Sequence, residues 1–190
     1  MNIITDKLPE SVSFLGKSFP IRTDFKVWLK FDQIIKDKDK SPAEKFTAAV
    51  LCCFDADKCK KLPDSYEETM ALLLDFFAGM PSGRNNGTVR EKVFDFSEDA
   101  EYIFASFFQE YGIDLAESSM HWYKFLALLG GLSENCPLKK AIAWRSVNLA
   151  EIEDAKRRSY CRKMKKFYSL KGGTAVKSEK NIAEELNKAF

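Results

Sequence analysis

Histidine is almost missing: His121 is the only one in 190 residues. Cysteine is scarce as well, at positions 52, 53, 59, 136 and 161. Five is an odd number, adjacent Cys52 and Cys53 make no ordinary disulfide framework, and no C-x-x-C pair offers zinc-ligand spacing. Cys52 and Cys53 lie on an apolar helical stretch, where cysteine packs as a small hydrophobe. Free thiols in a reducing compartment are therefore expected, with no metal. A nucleophilic Cys-His pair would have to use His121, which is followed by Trp122 and Tyr123 on another helical stretch. A packed or capping imidazole is expected there.

Long apolar runs are absent. The longest, residues 125–132, has eight residues, two of them glycine, where a membrane span needs roughly 18. The opening residues Met1 to Asp6 lack the basic start and apolar stretch of a signal peptide, so a soluble chain of the cytoplasm, without membrane contact, is expected. An excess of one charge is missing too: 30 Lys and Arg stand against 28 Asp and Glu, a net of +2. That excludes a uniformly basic nucleic-acid coat and an acidic disordered chain. No internal repeat is visible. The breaker-rich stretch from Met80 to Thr88 contains Gly83-Arg84-Asn85-Asn86-Gly87 but no following Lys-Ser or Lys-Thr. It reads as a surface loop and not a phosphate loop.

What is present is helix signal. A hairpin comes first, over about residues 11–22: Val12 and Phe14 alternate with serines, Leu15-Gly16-Lys17-Ser18 offers the turn, and Phe19 and Ile21 resume the period of two. Pro20 suits an edge strand. Thr23 or Asp24 then caps a helix carrying Phe25, Trp28, Leu29, Phe31, Ile34 and Ile35. Ser41-Pro42-Ala43-Glu44 is a capping box with proline at the first helical position. Behind it Phe46, Ala49, Val50, Cys53 and Phe54 form one stripe. Ser65-Tyr66-Glu67-Glu68 repeats the box before Met70, Leu73, Leu74 and Phe77. Val93-Phe94-Asp95-Phe96 is either a strand or an extended lead-in. Ser97 is expected to cap a helix with Ala100, Ile103, Phe104, Phe107, Phe108 and Tyr111 on one broad apolar face, ended by Gly112. Further helices are expected from about Ser119 to Gly130-Gly131, from Pro137, and from Asn148 to about Leu170. Ile152, Ala155, Met164 and Phe167 are the expected inward stripe of the last one. The expected fold is mainly α, a compact multi-helix domain over residues 1–171 with a small N-terminal β-hairpin. A flexible tail with a short helical pattern (Ile182, Leu186, Phe190) follows over 172–190.

Near-neutrality conceals a polarity. Residues 1–137 hold 16 basic and 22 acidic side chains, and residues 138–190 hold 14 and 6. The basic excess concentrates in Lys156, Arg157, Arg158, Arg162, Lys163, Lys165 and Lys166, with Tyr160, Phe167 and Tyr168 interleaved. Such a helix is a candidate partner-docking surface, or a dock for the chain's own acidic half. The alternative is phosphate neutralisation with bases stacked on the rings. The carboxylates cluster at helix starts and beside lysines, where capping and solvation account for them. No catalytic constellation is found, so no enzyme activity and no cofactor are expected.

Five segments in series resemble one family. They are Leu8-Pro9-Glu10-Ser11-Val12 leading through Gly16-Lys17 to Ile21-Arg22-Thr23-Asp24-Phe25-Lys26-Val27-Trp28; Phe94-Asp95-Phe96-Ser97-Glu98-Asp99-Ala100-Glu101-Tyr102-Ile103 running on to Tyr111-Gly112-Ile113-Asp114-Leu115; His121-Trp122-Tyr123-Lys124-Phe125; Trp144-Arg145-Ser146; and residues 157–170, ending Lys165-Lys166-Phe167-Tyr168-Ser169-Leu170. In order and spacing they resemble the bacteriophage gene-product-fifteen family of long-tailed phages and prophages of Gram-positive bacteria, over about residues 1–170. The resemblance implies a phage morphogenesis factor of the host cytoplasm, by gene position a non-catalytic tail-assembly chaperone. Its implied partners are the tape-measure or tail-tube protein, with self-association also open. A structural tail component and a nucleic-acid-binding phage protein are the other readings. The family brings no catalytic residues to carry over.

Overall fold

Seven helices and one two-stranded hairpin make up the computed structural model, which describes residues 2–55, 57, 65–79 and 92–171. Strands β1 (Ser11–Phe14) and β2 (Lys17–Pro20) are followed by α1 (Phe25–Lys36), α2 (Pro42–Cys53), α3 (Tyr66–Ala78), α4 (Ala100–Tyr111), α5 (Trp122–Gly130), α6 (Pro137–Ser146), a single 3-10 turn (Leu149–Glu151) and α7 (Ala155–Phe167). The mainly α fold with an N-terminal hairpin is the one expected. The loop from Met80 to Thr88, Cys59 and the tail over 172–190 lie outside the described residues. Contacts gather into two units: Met1–Asn85 with Ser118–Gly130, and Asn86–Glu117 with Gly131–Phe190.

In the first unit the hairpin turns on two residues, with φ of 46° at Leu15 and 75° at Gly16. Two successive positive φ values match the mirror-image turn whose twist suits paired strands. The resulting register sets Val12 opposite Phe19, and both are buried. Asp24 is the residue that caps α1, accepting from the Lys26 N–H at 2.9 Å. At α2 the capping box is complete. The Ser41 hydroxyl accepts from the Glu44 N–H at 3.4 Å, and the Glu44 carboxylate accepts from the Ser41 N–H at 2.8 Å. Ser65 accepts from the Glu68 N–H at 3.1 Å to start α3. Helix α5 begins at Trp122, later than expected, because the backbone before it is engaged elsewhere. Met120 C=O accepts from the Phe25 N–H at 2.9 Å and Trp122 N–H donates to Thr23 C=O at 2.7 Å.

The core of this unit is aromatic. Phe25, Trp28, Phe31, Trp122 and Phe125 are fully buried. Ring centroids lie 4.9 Å apart for Phe25–Phe125, 4.6 Å for Trp28–Phe76 and 5.3 Å for Phe77–Trp122. Both buried indoles keep their N–H satisfied, Trp28 on Arg22 C=O and Trp122 on Phe77 C=O, each at 2.9 Å. Offset rings with paired N–H groups add specific geometry to the area they remove from water.

Of the two readings open for residues 93–96, a strand or a lead-in, the structure takes the second: 92–95 form no strand. The second unit departs from expectation at two helix starts, the first being that Ser97 does not cap α4. Asp95 outcompetes it: its carboxylate accepts from the N–H groups of Ser97 at 2.8 Å and Glu98 at 3.0 Å, holding them in a turn ahead of the helix. The single long helix expected from Asn148 is divided. Asn148 caps only the 3-10 turn, through Ala150 N–H at 3.1 Å, and Asp154 starts α7 by accepting from Arg157 N–H at 2.6 Å. Cys136 is the N-cap of α6, its sulfur accepting from Lys139 N–H at 3.4 Å. Gly112 ends α4 as expected, at φ 65°. Helix α6 packs against both α4 and α7. Ser106, buried between α4 and α6, donates to Tyr102 C=O at 2.6 Å and accepts from Leu138 N–H at 3.0 Å.

Candidate functional site

Arg145 sets the position of α7. It is buried on α6 and all three of its nitrogens are used. Nη1 and Nη2 donate to the two Asp99 carboxylate oxygens at 2.8 and 2.6 Å, Nη1 also donates to Val93 C=O at 2.9 Å, and Nε donates to Tyr168 C=O at 2.6 Å. Asp99 is fully buried, and a third hydrogen bond to its carboxylate, from Asp95 N–H at 3.0 Å, completes the cluster. A planar fork meeting a carboxylate two-to-two is the strongest geometry an ion pair offers. Here it ties the start of α4, the end of α6 and the end of α7 together.

That anchoring rotates α7 away from the expected register. Cys161 is the buried residue, with Arg158, Met164, Lys165 and Tyr168 half-buried beside it, while Ala155 and Phe167 face outward. The expected stripe of Ile152, Ala155, Met164 and Phe167 therefore holds at the half-buried Ile152 and Met164 and is corrected at Ala155 and Phe167. It presumed a helix running from Asn148, and it carried no information on where Arg145 would pin Tyr168.

The seven cations separate into two sets. Arg158 and Lys165 turn inward onto carbonyls: Arg158 donates to Ile152 C=O at 2.7 Å and Glu153 C=O at 3.2 Å, and Lys165 to Val147 C=O at 3.2 Å. They close the chain between α6 and α7. Lys156, Arg157, Arg162, Lys163 and Lys166 are exposed, and none of their charged groups makes a hydrogen bond or ion pair among the described residues. At about 100° per residue, Lys156, Tyr160, Lys163 and Phe167 share one narrow outward stripe. Tyr160 is 55% exposed and Phe167 75%. Trp144 meets the Tyr160 ring edge-on at 5.9 Å, so the stripe has aromatic support from α6. Along this stripe ammonium groups alternate with exposed rings, so charge and apolar surface are presented together.

The other sequence candidates settle as structure. His121 Nδ1 accepts from Tyr123 N–H at 3.1 Å, which places its proton on Nε2, donating to Pro9 C=O at 2.9 Å. Burial holds its pKa below the ordinary histidine value. It is a capping imidazole, as its setting suggested. Cys52 is half-buried, donating to Val27 C=O at 3.6 Å, and Cys53, Cys136 and Cys161 are buried free thiols. The hydrogen bond that the Cys53 thiol donates to Cys52, together with burial, pushes the Cys53 thiol up, away from reactivity.

Two features escaped the sequence reading. The Asp99–Arg145 pair joins residues 46 apart, with nothing local to flag it. Phe104 and Phe108, placed by periodicity on the apolar face of α4, are 39% and 57% exposed, their rings stacked at a centroid distance of 6.3 Å. Their exposure could have been suspected from Glu101 one turn before them.

Compared with known proteins, residues 4–170 match the family model described as Bacteriophage Gp15 protein. No curated protein and no solved structure matches the chain. The matched span takes in the Asp99–Arg145 cluster, the His121 cap and all of α7.

Proposed function

We propose, for a chain that belongs to the Bacteriophage Gp15 protein family, that it is a tail-morphogenesis factor: a non-catalytic tail-assembly chaperone working in the host bacterial cytoplasm. Its partner in this reading is the tape-measure or tail-tube protein. The observation that carries the proposal is the exposed side of α7, where the side chains of five cations have no partner among the described residues and two rings of the narrow stripe stand in solvent. Most cation-bearing helix faces are merely solvated. A solvated face has no use for a phenylalanine three-quarters exposed, whereas an amphipathic helix of a long partner could cover Phe167 and set carboxylates against Lys156 and Lys163.

Deleting the gene tests the role. Heads should form and tails should not, and the protein should co-purify with tape-measure or tube protein from infected cells. Normal tails after deletion would end the reading. Mass spectrometry of purified virions separates a chaperone, absent from the particle, from a structural tail component. The nucleic-acid alternative rests on the same cations and rings. It predicts a steep fall of DNA or RNA binding with salt that becomes shallower when Lys156, Lys163 and Lys166 are neutralised.

A further inference from the structure

Two exposed aromatic faces of opposite charge stand on the second unit. The outward stripe of α7 carries Lys156, Tyr160, Lys163 and Phe167. The outward face of α4 carries Glu101, Phe104, Ala105 and Phe108, all exposed, and the described residues around it, 92–117, add the exposed carboxylates of Glu98, Glu110 and Glu117 against one exposed cation, Lys92. Within one chain these faces do not satisfy each other. Helix α6 packs on both helices, and none of the five outward cations of α7 reaches a carboxylate among the described residues. Each face holds what the other lacks: carboxylate against ammonium, and ring surface to be covered against ring surface.

We propose that the chain self-associates head to tail, the α4 face of one copy seating on the α7 stripe of the next. The two patches differ, so the contact is heterologous, and repetition either closes a ring or extends a filament. Phe104 and Phe108 pack between Tyr160 and Phe167 of the neighbouring copy, and Glu101 lies among its Lys156, Lys163 and Lys166. Opposite charges at the rim steer the encounter and set its orientation, while the buried rings supply the affinity. The contact stands whether or not the partner in the cell is a tail protein. A partner bound on α7 would compete with it.

Sedimentation velocity on the full chain tests this. At low salt the mean mass should rise with protein concentration, and it should fall as salt is added. Two variants divide the contact: Lys156→Glu with Lys163→Glu on α7, and Glu101→Lys with Phe108→Lys on α4. All four positions are exposed, so circular dichroism should match the wild type. Each variant alone should associate at least about tenfold more weakly, because like charges now face each other. Mixed together they should associate again, since the intact α4 face of one variant then meets the intact α7 stripe of the other. A wild-type chain that stays monomeric at every concentration overturns the proposal. So does an oligomer that ignores both pairs of substitutions, or a mixture that forms no complex.

Discussion

At the residue scale, the second unit depends on one buried charge pair. Replacing Arg145 by Met strands the Asp99 carboxylate in a dry setting and frees the carbonyls of Val93 and Tyr168. Breaking a buried pair by removing one partner typically costs about 3–5 kcal/mol. Arg145→Met should lose stability of that order in denaturant unfolding, and Asp99→Leu added to it should recover part of the loss. If the single and double variants proved equally unstable, the stranded carboxylate would not be the cause. His121 gives the first unit a pH dependence whose sign follows from its setting. Its pKa is held down by burial, so as pH falls through about 6.5, the ordinary histidine value, the unfolded chain takes up a proton that the fold resists. Stability is therefore flat above that pH and falls below it, toward the lower folded pKa. Protonation also removes the Nδ1 lone pair that Tyr123 N–H uses. Thermal unfolding at neutral and mildly acidic pH should show the decline, and His121→Asn should flatten it. The capping role of His121 was legible from its helical setting. Its partner Pro9 was not, being 112 residues away in the chain.

At the scale of the element, local signals carried nearly everything they physically could. Ser41 with Glu44, Ser65, Asp24 and Gly112 act where a cap or stop must act, because each bonds backbone groups within a few residues of itself. Local reading failed where two local candidates competed: Ser97 against Asp95, and Asn148 against Asp154. At the first, the Asp95 carboxylate holds the Ser97 and Glu98 N–H groups in a turn, so that the helix starts later; at the second, Asn148 caps a 3-10 turn and Asp154 starts the helix six residues on. The hairpin holds an element-level flaw that can be repaired. Leu15 is 83% exposed at φ 46°, the left-handed region that costs an ordinary L-residue energy. Leu15→Asn would place Asn-Gly at the turn, the pair that the mirror-image geometry favours. It should raise stability by about 0.5–1 kcal/mol, read as an increase in the melting temperature with no change in spectrum. A decrease would mean that the exposed leucine makes a contact outside the chain.

For the molecule as a whole, a net charge of +2 describes neither part of the second unit. Residues 86–117 are acidic and residues 138–190 basic, and among the described residues the charge pair that joins them with both side chains buried is Asp99–Arg145. The remaining charge lies outward, and whether it serves the fold or a partner can be decided by dividing the helix that carries it. Arg158 and Lys165 have their donors on backbone carbonyls, so Arg158→Gln with Lys165→Gln should lower the melting temperature, with partner binding changed only as far as folding is. Lys156, Lys163 and Lys166 have no partner among the described residues. Changing these three to Gln should leave the melting temperature within the small range usual for surface substitutions and weaken capture of any α7 partner, the loss being largest at low salt where exposed charges are least screened. Sequence alone grouped all seven cations as one basic patch, because composition records charge and not direction. The rotation of α7 on Arg145 is what separates them. Equal effects of the two substitution sets on both stability and binding would refute that separation, and with it the outward stripe as the working surface.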